Sequence, residues 1–211
     1  MKKTLGIASV IAISASLGIS GAWAQQNVEQ PGHVSPTPGT SNDTMSATKD
    51  TAGHAMGTIS AEMTSTLKGF VTAAAISDMY EVEAGKIAAQ RSKNKEVRDF
   101  AAKMVKGHTQ TTDELKTLLR DDKANVTPPT QLDDRHQAML DELRGAKGSD
   151  FDNRYISQQI DAHKEALILM RGYAKDGDVA SIQSFATKTV PVVQAHLDMA
   201  QRLDSAINKN S

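Results

Sequence analysis

The chain has 211 residues, contains no cysteine and carries a formal net charge of -1, and aromatic residues make up only 4% of it. A nearly neutral chain has no overall basic field that attracts nucleic acid, and few aromatic side chains are available to stack on bases, so we expect no nucleic-acid partner. Because disulfides are excluded, a packed apolar core has to stabilise the fold.

The first 24 residues have the composition of a secretory signal peptide. Lys2 and Lys3 supply a positive start, an apolar run follows from Leu5 to Ile19, and the sequence AWA at 22–24 forms an A-x-A cleavage site. The apolar run is short for a membrane-spanning helix. We therefore predict cleavage, a mature protein without a transmembrane segment, and a periplasmic or secreted location, with association with the outer membrane left open.

Residues 25–59 are predicted to be a disordered linker, and residues 60–208 a single helical domain. The linker is rich in Pro, Gly, Ser and Thr and has no sustained apolar periodicity. Such a segment buries too little apolar surface to offset its chain entropy. The domain is long enough to build one sizeable core.

The first half of the domain predicts two helices joined by a tight turn. The first helix is expected to begin between Ser60 and Ser65 and to end near Arg91. Asn94 is a suitable N-cap for the second helix, which is expected to run to about Asp121.

After the second helix, the sequence predicts a short helix and then a third long one. Thr130 and Asp133 form a capping-box pattern before a short helix that ends near Gly145. Ser149 and Asp152 form the same pattern at the start of the third long helix.

The third long helix is expected to stop at Gly177, in a left-handed cap. Asp178 is expected to cap a fourth long helix that runs to about Asn208. Two long helical hairpins joined by a long crossover predict an all-α, ferritin-like four-helix bundle. Here the crossover is predicted to carry the short extra helix. A long crossover lets the second hairpin start at the opposite end of the bundle.

Three histidines occupy the apolar seams of three different predicted long helices. His108, His163 and His196 each take a seam position, at steps of three and four residues, near the middle of their helix. Neutral imidazole is the commonest metal ligand in proteins, and burial favours the neutral form. These residues are therefore candidate ligands of a transition metal such as zinc, copper or iron.

The first long helix has no histidine, but it offers an acidic residue. Glu81 or Glu83 could face the interior, because the alanine-rich stripe of this helix is broad. Counted from the turn at Lys93, Glu81 lies about 18 Å along its helix and Glu83 about 15 Å, against about 22 Å for His108. Axial height therefore favours Glu81, and both residues stay candidate ligands.

The second hairpin raises an objection to a single site. Counted from Gly177, His163 lies about 21 Å along its helix and His196 about 28 Å. This offset of roughly one helical turn is an objection to a single site with four ligands, while a mononuclear or degenerate site stays open.

The spacing also excludes an orthodox di-iron centre. Such centres take a Glu-x-x-His motif from each of two helices. The residues three positions before the seam histidines are Val105, Ile160 and Val193, so the bridging carboxylates are missing.

Three segments resemble a known family: EVEAGKIAAQRSKNKEVRDFAAKMVKGHTQTTDEL at 81–115, FDNRYISQQIDAHKEAL at 151–167 and FATKTVPVVQAHLDMAQRL at 185–203. They are similar to the bacterial domain-of-unknown-function family 4142, with Gly107 departing from the family's usual acidic residue. The resemblance implies a secreted protein of Gram-negative bacteria with a ferritin-like helical fold, often labelled an outer membrane protein. It implies no established activity.

Two hypotheses about function remain. In the first, the protein is a non-enzymatic exported bundle that acts in envelope stress or as an interaction module, with an envelope protein or a second copy of the chain as partner. Its histidines are then hydrogen-bonded core residues. In the second, it is a metal-binding or metal-dependent redox protein with a histidine-rich site inside the bundle. Hydrolase, phosphate-loop and dinucleotide motifs are absent from the sequence, which favours a binding role over an enzymatic one.

Overall fold

The computed structural model describes residues 44–45 and 57–209. The predicted signal peptide and most of the predicted linker lie outside these residues. None of the helices in the described part of the chain combines the length and the hydropathy that a bilayer crossing requires.

Helices make up most of the described chain, which confirms the prediction of an all-α fold. Two strands of two residues each pair antiparallel beside them. The elements are β1 (Thr44–Met45), β2 (Ile59–Ser60), α1 (Ala61–Ser65), α2 (Leu67–Arg91), α3 (Lys95–Asp121), α4 (Asp134–Gly145), α5 (Ser149–Asp176) and α6 (Ala180–Lys209).

The predicted first helix is interrupted at Thr66. The backbone of Thr66 is extended there, and its hydroxyl accepts a hydrogen bond from the N–H of Gly69 at 3.1 Å, so it caps α2. Thr66 can offer this local bond because its side chain competes with the helical backbone for partners. A Cβ at Gly69 would lie 2.4 Å from the Glu62 carbonyl oxygen, so only glycine fits where α1 meets α2.

Asn94 caps α3, as predicted, through a 2.9 Å hydrogen bond from the N–H of Glu96 to its side-chain oxygen. The capping box predicted for α4 is wrong in part. Asp133 is the N-cap, and its carboxylate accepts a hydrogen bond from the N–H of His136 at 2.8 Å. Thr130 lies outside the helix because the helix begins only after Asp133.

The caps predicted for the two ends of α5 are wrong. The residue before α5 is Gly148, which has a φ of 58° and makes no side-chain cap, so Ser149 is already helical. Gly177 ends α5 in an extended conformation with a φ of -65°, not in a left-handed one. The carboxylate of Asp178 accepts a hydrogen bond from the Tyr173 hydroxyl, and α6 begins at Ala180.

Replacing Asn94 with Ala should lower the free energy of unfolding by about 1 kcal/mol, because the first turn of α3 loses its side-chain acceptor. Denaturant unfolding monitored by circular dichroism measures this. Asn94→Gly is the matched control, and we expect it to cost only a few tenths of a kcal/mol. Equal losses in both variants would show that the cap bond contributes little.

The four long helices pack around one interior. α2 contacts α3 and α5, and α6 contacts α5 and α3. The ring of Phe70 stacks on Tyr173 at one end of the α2–α5 pair, and the Arg91 guanidinium lies 4.4 Å from the centre of the Phe151 ring at the other. Helices α2 and α5 are therefore antiparallel, so the crossover that contains α4 runs the length of the bundle, as in ferritin-like topology.

Two apolar clusters fill the interior and leave a polar section between them. One cluster includes Phe70, Leu115, Tyr173 and Phe185, and the other includes Tyr80, Met104 and Tyr155. Several buried polar residues of the four long helices lie near the boundary between the two clusters. They include Asp78, Glu81, His108, His163 and His196.

Candidate metal centre

The three seam histidines meet in the polar section of the bundle. The ring centres of His108 and His163 are 5.6 Å apart, those of His108 and His196 5.8 Å, and those of His163 and His196 5.6 Å. One nitrogen from each ring lies within 4.8 Å of the other two. All three residues are buried, with exposed fractions of 6%, 1% and 7%. We call these three residues the histidine triangle.

The predicted axial offset between His163 and His196 does not separate their rings. Helical side chains lean toward the N-terminus of their own helix. His163 on α5 therefore leans away from the turn at Gly177, and His196 on α6 leans toward it. The two leans are opposite because the helices are antiparallel, and they close a gap that counting Cα positions alone overestimates.

Hydrogen bonds fix the orientation of two of the rings. The Nδ1 of His108 lies 2.8 Å from a carboxylate oxygen of Asp78, and the Nδ1 of His163 lies 2.8 Å from the backbone oxygen of Gln159. Both partners are acceptors, so Nδ1 carries the hydrogen, and in the neutral ring Nε2 keeps a free lone pair. The Nε2 atoms of His108 and His163 and the Nδ1 of His196 are buried without a hydrogen-bond partner among the described residues.

Asp78 is the functional residue that the sequence analysis missed. Its second carboxylate oxygen accepts hydrogen bonds from the hydroxyls of Thr111 at 2.9 Å and Thr112 at 3.0 Å. Two threonine hydroxyls of α3 thus hold the carboxylate in place while its other oxygen orients the ring of His108. Two signals were available in the sequence: Asp78 lies three residues before Glu81, on the same helical face, and Thr111 interrupts the apolar seam of α3.

The structure separates the two candidate glutamates. Glu81 is 1% exposed, and its Oε1 lies 3.7 Å from the Nδ1 of His163. Neither of its carboxylate oxygens has a hydrogen-bond partner among the described residues. Glu83 points outward and pairs with Lys86 at 2.8 Å, so it is not near the triangle. Glu81 lies beside the histidine triangle but outside the group of converging nitrogens.

Burial shifts the pKa values of the ionisable side chains in and beside the histidine triangle. It raises the pKa of Glu81 to about 7, and the charge of Asp78 acts in the same direction, against the opposing charge of His108. Burial, with the charge of His108, lowers the pKa of His163 to about 3 and that of His196 to about 4. For His108, burial lowers the pKa, but the hydrogen bond to Asp78 and the charge of Glu81 outweigh it and raise the pKa. At neutral pH, His163 and His196 are therefore neutral and able to donate lone pairs.

The remaining histidines lie elsewhere. His136, on α4, pairs with Asp133 at 2.7 Å. His33 and His54 fall outside the described residues. Glu165, which flanks His163 in sequence, turns away from the triangle and pairs with Arg135.

By its fold and its site, the protein belongs to the class of helical bundles with a candidate transition-metal centre. Its interior gathers three histidines, each with a nitrogen that has no hydrogen-bond partner among the described residues. Comparison with protein families shows more narrowly that the chain belongs to the family described as Domain of unknown function (DUF4142), whose model matches residues 52–203. This confirms the resemblance found in the sequence.

Among solved structures, the chain is similar to CopM in the Cu(II)-bound form. The TM-score is 0.58 at 16% sequence identity, and the match covers 67% of this chain and 97% of that chain. At this identity the likeness shows the helical fold alone. A comparison with curated proteins finds no match.

Proposed function

We propose that the protein is an exported helical bundle that binds one transition-metal ion, copper in preference to zinc or iron. The ligands are the Nε2 atoms of His108 and His163 and the Nδ1 of His196. Two observations support this proposal: one nitrogen of each ring lies within 4.8 Å of the other two, and each ring has a buried nitrogen without a hydrogen-bond partner among the described residues. The predicted signal peptide supports export.

The alternative, in which these histidines are ordinary core residues, is less well supported. Buried polar atoms are nearly always hydrogen-bonded, and one left unpaired costs about 1–3 kcal/mol. Each of the three rings has such an atom, and one nitrogen of each ring lies within 4.8 Å of the other two. A metal ion accepts all three lone pairs at once, whereas no described side chain donates a hydrogen bond to any of them.

The donor set favours copper. Imidazole suits copper, zinc and iron, whereas calcium and magnesium prefer oxygen ligands. Among divalent first-row ions, sites with nitrogen donors bind Cu(II) most tightly. The structural likeness to a protein solved in a Cu(II)-bound form is compatible with this choice.

Two acidic residues make the interior suitable for a cation. A divalent ion in a buried site needs compensating negative charge, because desolvating an unpaired charge is costly. Asp78 and Glu81 are both buried beside the histidines. Bound copper would supply one-electron redox chemistry. Because the residues of this chain only hold the ion, orient its ligands and exclude water, we propose a binding role for the protein.

Elemental analysis of the purified mature protein tests this proposal. We expect one copper ion per chain after loading and dialysis, and a higher melting temperature with copper than with chelator. Parallel loading with zinc and iron ranks the metals. Substoichiometric metal together with identical melting curves would contradict the proposal.

Replacing Asp78 with Asn should weaken copper binding about 10–100-fold, the usual effect of losing the partner that orients a metal-binding histidine. The amide oxygen is a weaker acceptor for the Nδ1–H of His108 than a carboxylate oxygen, and the amide NH₂ cannot accept the hydrogen bonds from Thr111 and Thr112, so the His108 ring is held less firmly toward the triangle. Isothermal titration or competition with a chelator measures the affinity. Asp99→Asn is the control, because Asp99 pairs with Lys95 on the surface. Equal affinities in the two variants would remove Asp78 from the site.

A further inference from the structure

A small cavity lies against two corners of the histidine triangle. It has a volume of about 20 Å³ and is bounded by residues of α2, α3, α5 and α6. His108 and His196 line it, together with Ala74, Met170, Thr189 and Val193. A molecule in this cavity would contact two of the three proposed ligands.

The size and lining of the cavity select a kind of occupant. A cavity needs roughly 10–15 Å³ to admit one water-sized molecule, so this one holds little more than that. Most of its lining is apolar. The nitrogens of His108 and His196 that lack hydrogen-bond partners are the ones that the proposed metal ion would occupy, and the side chains of Thr189 and Asp78 already have partners. The Thr189 hydroxyl donates to the Phe185 carbonyl at 2.8 Å, and the Asp78 carboxylate is bonded to His108 and to the hydroxyls of Thr111 and Thr112. Apolar cavities stay dry and take small apolar molecules.

The cavity approaches the surface along the seam between α3 and α6. Val192, which is 45% exposed, lines it, and so does Gly107. A Cβ at Gly107 would lie 3.2 Å from a ring carbon of His196, so the missing side chain leaves room beside that ring. One wall residue of the cavity is therefore itself in contact with solvent.

We propose that this cavity binds a neutral diatomic molecule of the dioxygen class, as the fourth ligand of the metal held by the histidine triangle. The inference rests on the proposed function, because the metal is the anchor of the diatomic molecule. Metal sites that keep three protein ligands leave a coordination position for an exogenous molecule, whereas structural sites fill all four positions. The group of converging side chains found in the described residues has three members.

Carbon monoxide on the Cu(I)-loaded mature protein is the probe. The wild type should bind one carbon monoxide per copper, with a single C–O stretching band in the infrared spectrum. Thr189→Ile replaces the hydroxyl with a larger ethyl group at the cavity wall, and we expect it to lower the carbon monoxide affinity at least about tenfold while copper content stays at one per chain. Thr187→Ile is the matched control: Thr187 lies on the same helix and donates to the Gln183 carbonyl in the same way, but it is exposed. This variant should behave as the wild type.

The outcomes separate the two proposals. A wild type that holds copper but binds no carbon monoxide overturns the cavity proposal, and so does a Thr189→Ile variant with wild-type carbon monoxide affinity. A wild type that fails to retain copper overturns the proposed function instead. If Thr189→Ile does not fold, Ala74→Val fills the same cavity from α2 and should produce the same loss of carbon monoxide affinity. Wild-type affinity in that variant counts against the cavity proposal in the same way.

Discussion

Replacing His163 with Leu should abolish copper retention and leave the metal-free protein as stable as the wild type or more stable. His163 is the most deeply buried member of the triangle, and its Nε2 has no hydrogen-bond partner among the described residues. Leucine fills a similar volume without burying a polar atom, so the fold loses little. The metal loses one of three ligands, and two imidazoles do not hold it.

The largest expected effect of His163→Leu is the loss of the stabilisation that bound copper gives to the folded protein. A ligand present at 1,000 times its dissociation constant stabilises the folded state by about 4 kcal/mol. For a domain of this size, that corresponds to a rise in the melting temperature of about 8–16 °C. We expect this rise in the wild type on adding copper and none in His163→Leu. Differential scanning calorimetry with and without chelator measures both.

His136→Leu is the control for this experiment. His136 is a partly buried histidine that pairs with Asp133 on α4, outside the triangle. This variant should retain one copper per chain and show the wild-type rise in melting temperature. If His163→Leu keeps its copper, or if His136→Leu loses it to the same extent, the ion is bound elsewhere.

The sequence predicts the bundle and the inward positions of its histidines because both depend on apolar periodicity. Each of His108, His163 and His196 occupies a seam between apolar residues, and a seam in a helical bundle faces the interior. Periodicity also predicts the two hairpins and the crossover. It does not predict α1, because the break at Thr66 depends on a single side-chain hydrogen bond to Gly69.

The sequence does not predict the convergence of the histidines, for two physical reasons. Counting residues along a helix gives the height of Cα, whereas the ring lies a side-chain length away in a direction set by the helix. The height of His196 relative to His163 was therefore misleading. Asp78 escaped prediction because α2 is rich in alanine, so that no narrow apolar stripe marks which of its polar residues face inward.

Replacing Glu81 with Gln should stabilise the metal-free protein at alkaline pH and leave it nearly unchanged in acid. Burial raises the pKa of Glu81 from 4.5 to about 7 in the folded state. Below pH 4.5, both the folded and the unfolded chain hold the proton. Between pH 4.5 and 7 the unfolded chain releases it first, which favours unfolding of the wild type as the pH rises. Glutamine has no proton to release and avoids this loss.

The difference between the variant and the wild type should reach about 3 kcal/mol above pH 7, because each unit of pKa shift corresponds to about 1.4 kcal/mol. Denaturant unfolding of both proteins from pH 4 to pH 9 measures it. Glu83→Gln is the matched control two residues away, where the side chain is exposed and pairs with Lys86. It should differ from the wild type by less than about 0.5 kcal/mol at every pH. A constant gain for Glu81→Gln across the pH range would show that ionisation of Glu81 is not its cause.

Copper should reverse the sign of the effect of Glu81→Gln. With a divalent ion beside it, the carboxylate is paired with a positive charge in a medium of low dielectric constant, and removing it should lower copper affinity at least about tenfold. The same substitution would then make the metal-free protein more stable and the metal site weaker. Natural proteins retain destabilising buried groups chiefly where function requires them. A gain in metal-free stability without any loss of copper affinity would instead make Glu81 a buried acid with no part in the site.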